Sequence, residues 1–125
     1  MIRLTEQQIL AVHSRMIEMT GGVDGVRDNS LLDSALNAPF QTFDGKGLYP
    51  ALLSKAAVMC RSIISNHPFV DGNKRTGIHV TLIFLEMNGI ELQYSQNELI
   101  ELGFGVASGQ LSSDDILKWL IKHTN

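Results

Sequence analysis

The sequence predicts an all-α protein: a compact bundle of about six helices around a buried central helix, with a short flap loop or hairpin on one side. Three observations predict it. Apolar residues recur at three- and four-residue spacing rather than in alternation, and capping residues, glycines and prolines punctuate these windows. One window, Asn73 to Asn88, is apolar around almost its whole circumference, which requires burial on most sides. The chain has 125 residues, 44% of them hydrophobic and 18% charged, enough to bury one core without staples, so residues 1–125 read as a single domain.

Thr5 and Gln8 form a capping box for a first helix carrying Ile9, Val12, Met16 and Met19, which Gly21-Gly22 ends. Asp28 caps a second helix with Leu31, Leu32, Ala35 and Leu36 on its inner face, and Pro39 stops it. Gln41 to Tyr49 mixes glycines with aromatics and reads as the flap. Pro50 suits the first position of a third helix whose wide apolar face runs from Leu52 to Ile64. The fourth helix follows a charged loop and ends at Gly89. Ile90 to Gln93 reads as a short extended segment. Ser95 caps a fifth helix with Leu99, Leu102, Phe104 and Val106, where Gly103 and Gly105 permit close packing. Ser112-Ser113-Asp114-Asp115 opens a sixth with Ile116, Leu117, Trp119, Leu120 and Ile121.

A formal net charge of −3 supplies no global positive field for nucleic acid or an anionic membrane, so any anion site must be local. Cys60 is the one cysteine and lies in an apolar run, and neither a signal-peptide core nor a run of about 18 apolar residues is present. A reduced, cytoplasmic setting is expected. His13 and His79 read as core or groove histidines, and His123 suits its helix C-terminus.

The chemistry concentrates in His67-Pro68-Phe69-Val70-Asp71-Gly72-Asn73-Lys74-Arg75. The first turn of a helix presents unpaired N–H groups and partial positive charge, which favour phosphate. Gly72 lets a ligand approach the backbone, while Lys74 and Arg75 add a point charge and a planar fork. A carboxylate beside such cations would repel a phosphate, unless a divalent metal joins them; Asp71 is then the Mg²⁺ ligand, its rival role being an N-cap. Pro68 turns the chain out of the third helix and leaves His67 at the mouth of the cradle, where a neutral imidazole accepts a proton from an attacking hydroxyl. Phe69 points inward to pin the loop. Together these residues predict an ATP-dependent transferase.

The same run resembles the signature of the Fic/Doc family, which begins with His, continues Phe-x-Asp/Glu/Asn and closes on Asn-Gly/Lys-Arg. Resemblance to the death-on-curing toxins of this family extends through Gly21-Gly22 to Leu36, Leu48-Tyr49-Pro50 and Phe84 to Gly89. It implies His67 as base, Asp71 as Mg²⁺ ligand, and Gly72, Asn73, Lys74 and Arg75 around the phosphates of ATP. Members that transfer AMP usually carry Gly after the Asn and a second Arg three residues beyond the first; Lys74 and Ile78 stand at those places. The resemblance is therefore to Doc-type kinases, and it implies γ-phosphoryl transfer to a threonine of elongation factor Tu, translation arrest, and restraint by a Phd-like antitoxin. AMP transfer on the same fold and a non-catalytic corepressor module are the alternatives. The inhibitory motif of the family has only a partial echo in Ser14 to Glu18, because Met19 follows.

Overall fold

A computed structural model describes residues 1–124. Its helices are α1 (Glu6–Thr20), α2 (Asn29–Asn37), α3 (Leu52–Asn66), α4 (Asn73–Met87), α5 (Gln96–Ala107) and α6 (Ser113–His123). A 3-10 turn, Ala38–Phe40, follows α2, and an antiparallel hairpin of β1 (Thr42–Phe43) and β2 (Lys46–Gly47) forms the flap. The expected all-α architecture is thus present.

The capping residues act where the sequence places them. Thr5, Ser95 and Ser112 close reciprocal capping boxes with Gln8, Glu98 and Asp115, and Asp28 accepts from the Leu31 N–H. Gly89, with φ 82°, provides the left-handed residue after α4. The third helix starts later than its proline suggests. Pro50 lies outside it and Ala51 is the N-cap, because Tyr49 is drawn to α3 from the flap side by the buried Lys55 ammonium, which donates to the Tyr49 carbonyl.

The buried centre is shared by α3 and α4. Helix α3 packs against α2, the 3-10 turn, α4, α5 and α6, whereas α4 packs against α1, α3 and α5. Ala56, Cys60, Ile63, Ile64, Val80, Phe84 and Leu85 fill the seam, all but removed from solvent. Several apolar residues expected on inner faces instead lie outside: Met19, Phe104 and Ile121 are 72%, 59% and 57% exposed. Ile17 takes the buried place on α1 in place of Met19.

Helices α3 and α4 meet at Gly77. A Cβ there would lie 2.6 Å from Ile64 Cγ1 and 3.3 Å from the Cys60 carbonyl, and Ile64 is itself enclosed. Alanine ordinarily gains about 1 kcal/mol over glycine inside a helix. Here overpacking, typically costing about 1–3 kcal/mol, opposes it. Gly77→Ala is therefore expected to lower the midpoint of chemical denaturation despite its better helix propensity, and Gly77→Val to lower it further.

The end of α6 is tied to the start of α5. Buried His123 places Nδ1 2.7 Å from the Trp119 carbonyl and Nε2 2.7 Å from Glu98 Oε2, with its ring stacked on Trp119. The hydrogen bond from His123, with those of Ser95, holds the Glu98 carboxyl at about 2, and Glu98 in turn raises the His123 pKa above 6.5. The sign follows from linkage: the Glu98 contribution is present above about 4.5 and lost toward 2, while that of His123 is full below 6.5 and lost as pH rises through its elevated value. The thermal-midpoint advantage of the wild type over Glu98→Gln should accordingly be largest near pH 5–6 and shrink as pH rises through the elevated His123 value.

Candidate active site

The loop between α3 and α4 is shaped by a segment far away in sequence. Pro68 ends α3, and His67 adopts a left-handed conformation, φ 51° and ψ 55°, that costs a residue with a Cβ roughly 1–2 kcal/mol. Arg27 holds it there. Its Nε donates to the His67 carbonyl at 2.7 Å and its Nη2 to the Asn66 carbonyl at 2.9 Å, so a cation satisfies the open C-terminal carbonyls of α3. The Arg27 and Asp28 N–H groups both donate to the Pro68 carbonyl, and Val70 N–H donates to the Gly25 carbonyl. Residues 25–28 thereby form a backbone splint along residues 66–70, with an isolated bridge between Val26 and Phe69.

Phe69 is 1% exposed and anchors the loop as expected. Asn73 secures it from the other side: Oδ1 accepts from the Phe69 N–H at 2.9 Å and Nδ2 donates to the Phe69 carbonyl at 3.0 Å. The buried Asn73 amide is thus committed to the loop, while its backbone N–H lies in the open first turn of α4. The amide orientation also fixes Nδ2 as the group 3.4 Å from His67 Nδ1. A donor faces that nitrogen, so the neutral ring that accepts from it carries its proton on Nε2. Accepting a proton at Nε2 requires the other tautomer, with the long Asn73 contact released.

Asp71 is not the N-cap. That position belongs to Gly72, whose φ of 78° is left-handed, and no side chain caps the N–H groups of the first turn. Glycine is needed at 72 for this φ and for room, since a Cβ would lie 3.1 Å from Ile17 Cδ1 and 3.6 Å from His13 Nε2. The turn is thereby packed on α1. The Asp71 carboxylate sits beside the helix start, accepting from Gly72 N–H at 2.8 Å and Val23 N–H at 3.3 Å. Gly22 makes this possible, because a Cβ there would stand 2.5 Å from Asp71 Oδ2. A carboxylate has about four acceptor positions, so two donors leave it able to ligate a cation. Among the described residues no three His, Cys, Asp or Glu side chains are grouped to hold a metal. A divalent cation at Asp71 would then complete its shell from phosphate oxygens and water, which suits Mg²⁺.

His67, Asp71, Gly72, Asn73, Lys74 and Arg75 all line one cleft of 690 Å³, within the usual size of a small-molecule site. Its other walls are Ile78 and His79 of α4 and Gln96, Leu99, Ile100, Gly103 and Phe104 of α5. One end carries charge and open helix N–H groups, and the other is apolar. The Lys74 ammonium stands 3.8 Å above the Phe104 ring, and Arg75 donates to the Thr20 hydroxyl at the end of α1. His79 is exposed on the cleft side, a groove histidine. The α5 wall escaped sequence reasoning, although Gln96, Leu99/Ile100 and Gly103/Phe104 recur at three- and four-residue spacing along one side of that helix. Arg27 carried no local signal at all.

A left-handed histidine held above an uncapped helix start, with a carboxylate, two cations and an apolar cleft, has the make-up of a transferase site of the Fic type. The chain belongs to the Fic/DOC family, whose family model matches residues 3–85. Among characterised proteins it is similar to "Toxin Doc" of Mycolicibacterium smegmatis, 46% identical over 72 residues, which cover 58% of this chain and 55% of that protein. The match thus spans about half the length of that relative. It is also similar to "Protein kinase doc" of Escherichia phage P1, 24% identical over 119 residues, covering 93% of this chain and 90% of the phage protein. No described helix is long and apolar enough to cross a membrane.

Proposed function

We propose that this protein is a Doc-like toxin, acting as one domain over residues 1–125, that transfers the γ-phosphoryl of ATP to a protein hydroxyl, a threonine of elongation factor Tu being the expected acceptor. The observation that carries this reading is the convergence of His67 and Asp71 on the same cleft as the open first turn of α4. The phage relative's name as a protein kinase supports the choice of chemistry. Lys74 supports it too: its long side chain lies in the cleft against Phe104, at the place where AMP-transferring members carry glycine.

In this reading the N–H groups of the first turn, Lys74 and Arg75 hold the phosphates, and Ile78, Leu99 and Phe104 offer apolar surface to the base. His67 takes the proton from the attacking hydroxyl as its oxygen bonds to the γ-phosphorus; the bond from that phosphorus to the bridging oxygen breaks, and ADP leaves. Mg²⁺ bound at Asp71 would neutralise developing charge on the phosphate oxygens. A Phd-like antitoxin would restrain the enzyme in a reduced cytoplasm. Expression in a bacterial host should arrest growth and translation, and His67→Ala or Asp71→Ala should each abolish the arrest. Arrest that survives both substitutions would favour a non-catalytic binding or corepressor module.

A further inference from the structure

One buried polar residue has no part in the chemistry described so far. His13, in the middle of α1, is 1% exposed and touches the signature loop at three successive points. Its ring stacks on Phe69 with centroids 3.9 Å apart and planes 8° from parallel. Its Nε2 lies 2.6 Å from the Asp71 carbonyl oxygen, which can only accept, so that nitrogen carries a proton. The missing Cβ of Gly72 would be 3.6 Å away. On the opposite edge Nδ1 is 3.3 Å from Asp24 Oδ1, and Asp24 is fixed by Ser14 Oγ and its neighbour's Gly25 N–H. The ring is therefore oriented from solvent side to loop side rather than merely packed.

We propose that His13, oriented by Asp24, is a positioning residue that sets the plane of the Asp71–Gly72 peptide. That plane is shared by the two halves of the site. On one side it directs the Asp71 carboxylate, and on the other it fixes the left-handed Gly72 from which α4 and its open N–H groups begin. Rotating one peptide would move the carboxylate and the anion cradle apart. An apolar side chain at 13 would fill the space and leave this plane unheld. Partners of this kind that orient a ligating residue typically change metal affinity about 10- to 100-fold when removed.

The consequence for Mg²⁺ rests on the nucleotide reading above; the consequence for loop order does not. The test compares wild type, His13→Phe, which keeps the stack and loses the donor, His13→Gln, which keeps a donor and loses the ring, and Asp24→Asn. Amide exchange at Val70 and Gly72 is followed by NMR, and ADP binding is measured by calorimetry with and without Mg²⁺. His13→Phe should exchange about tenfold faster at both amides, and lose about tenfold of the gain in ADP affinity that Mg²⁺ confers. His13→Gln should recover part of both. Unchanged exchange and unchanged Mg²⁺ dependence in a folded His13→Phe would overturn the proposal. Should that variant not fold, Asp24→Asn, altered at a half-exposed side chain, decides: a smaller shift in the same direction supports it and no shift overturns it. Wild type that binds ADP with no help from Mg²⁺ would count against the nucleotide reading and leave the exchange result to judge His13.

Discussion

His67→Ala is expected to reduce phosphoryl transfer about 10²- to 10⁴-fold, the usual contribution of a positioned general base, while ADP affinity changes little. The separation follows from where the residue sits. His67 is exposed at the mouth of the cleft, and among the described residues its side chain bonds only through the long contact with Asn73, so truncation neither opens the core nor disturbs the first turn of α4. Its carbonyl, and hence the grip of Arg27, survives the substitution. Asp71→Ala should cost a similar factor by another route: Mg²⁺ is held more weakly, so ADP binding needs more Mg²⁺ to reach full strength, and raising Mg²⁺ should recover part of the lost rate. Steady-state transfer rates with calorimetric ADP titrations separate the two. A drop in kcat with unchanged binding marks His67, and a change in the metal requirement marks Asp71.

Phe69→Ala should have the largest effect on stability of any change in the site, about 3–5 kcal/mol, the range for a fully buried Phe truncated to Ala. For a domain of this size that corresponds to roughly 10–20 °C in thermal midpoint. Phe69 is among the largest fully enclosed side chains, and its ring is the surface on which His13 stacks. Its backbone is the anchor for both Asn73 and the Val26 bridge, so the void cannot collapse without displacing the loop. Differential scanning calorimetry at neutral pH checks the size. Phe69→Leu, which keeps most of the volume, should lose less than half as much.

The helices and their starts are legible in the sequence because the physics is local. Thr5, Asp28, Ser95 and Ser112 satisfy N–H groups two or three residues on, and the same spacing that places a cap reveals it. The run from His67 to Arg75 is legible as a site for the same reason, since a proline, a glycine and two cations precede one apolar helix. What governs its geometry is not local. The Arg27 clamp spans 40 residues to His67, and the His13 contact spans 58 to Asp71. No periodicity or propensity encodes such pairings, so neither the hold of the Asn73 amide on Phe69 nor the packing of Gly72 against Ile17 and His13 is legible in the sequence. Met19 and Phe104 fail in the opposite sense. Periodicity marks them as apolar, but which apolar residues face inward depends on the neighbouring helices, and Phe104 is left to line the cleft.

The chemistry itself is decided by which phosphorus ends on the target. Purified protein incubated with Mg²⁺, elongation factor Tu and ATP labelled at either the α or the γ position should leave label on the factor from γ-labelled ATP alone, with His67→Ala leaving none. Label retained from α-labelled ATP would contradict phosphoryl transfer and assign the site to AMP transfer.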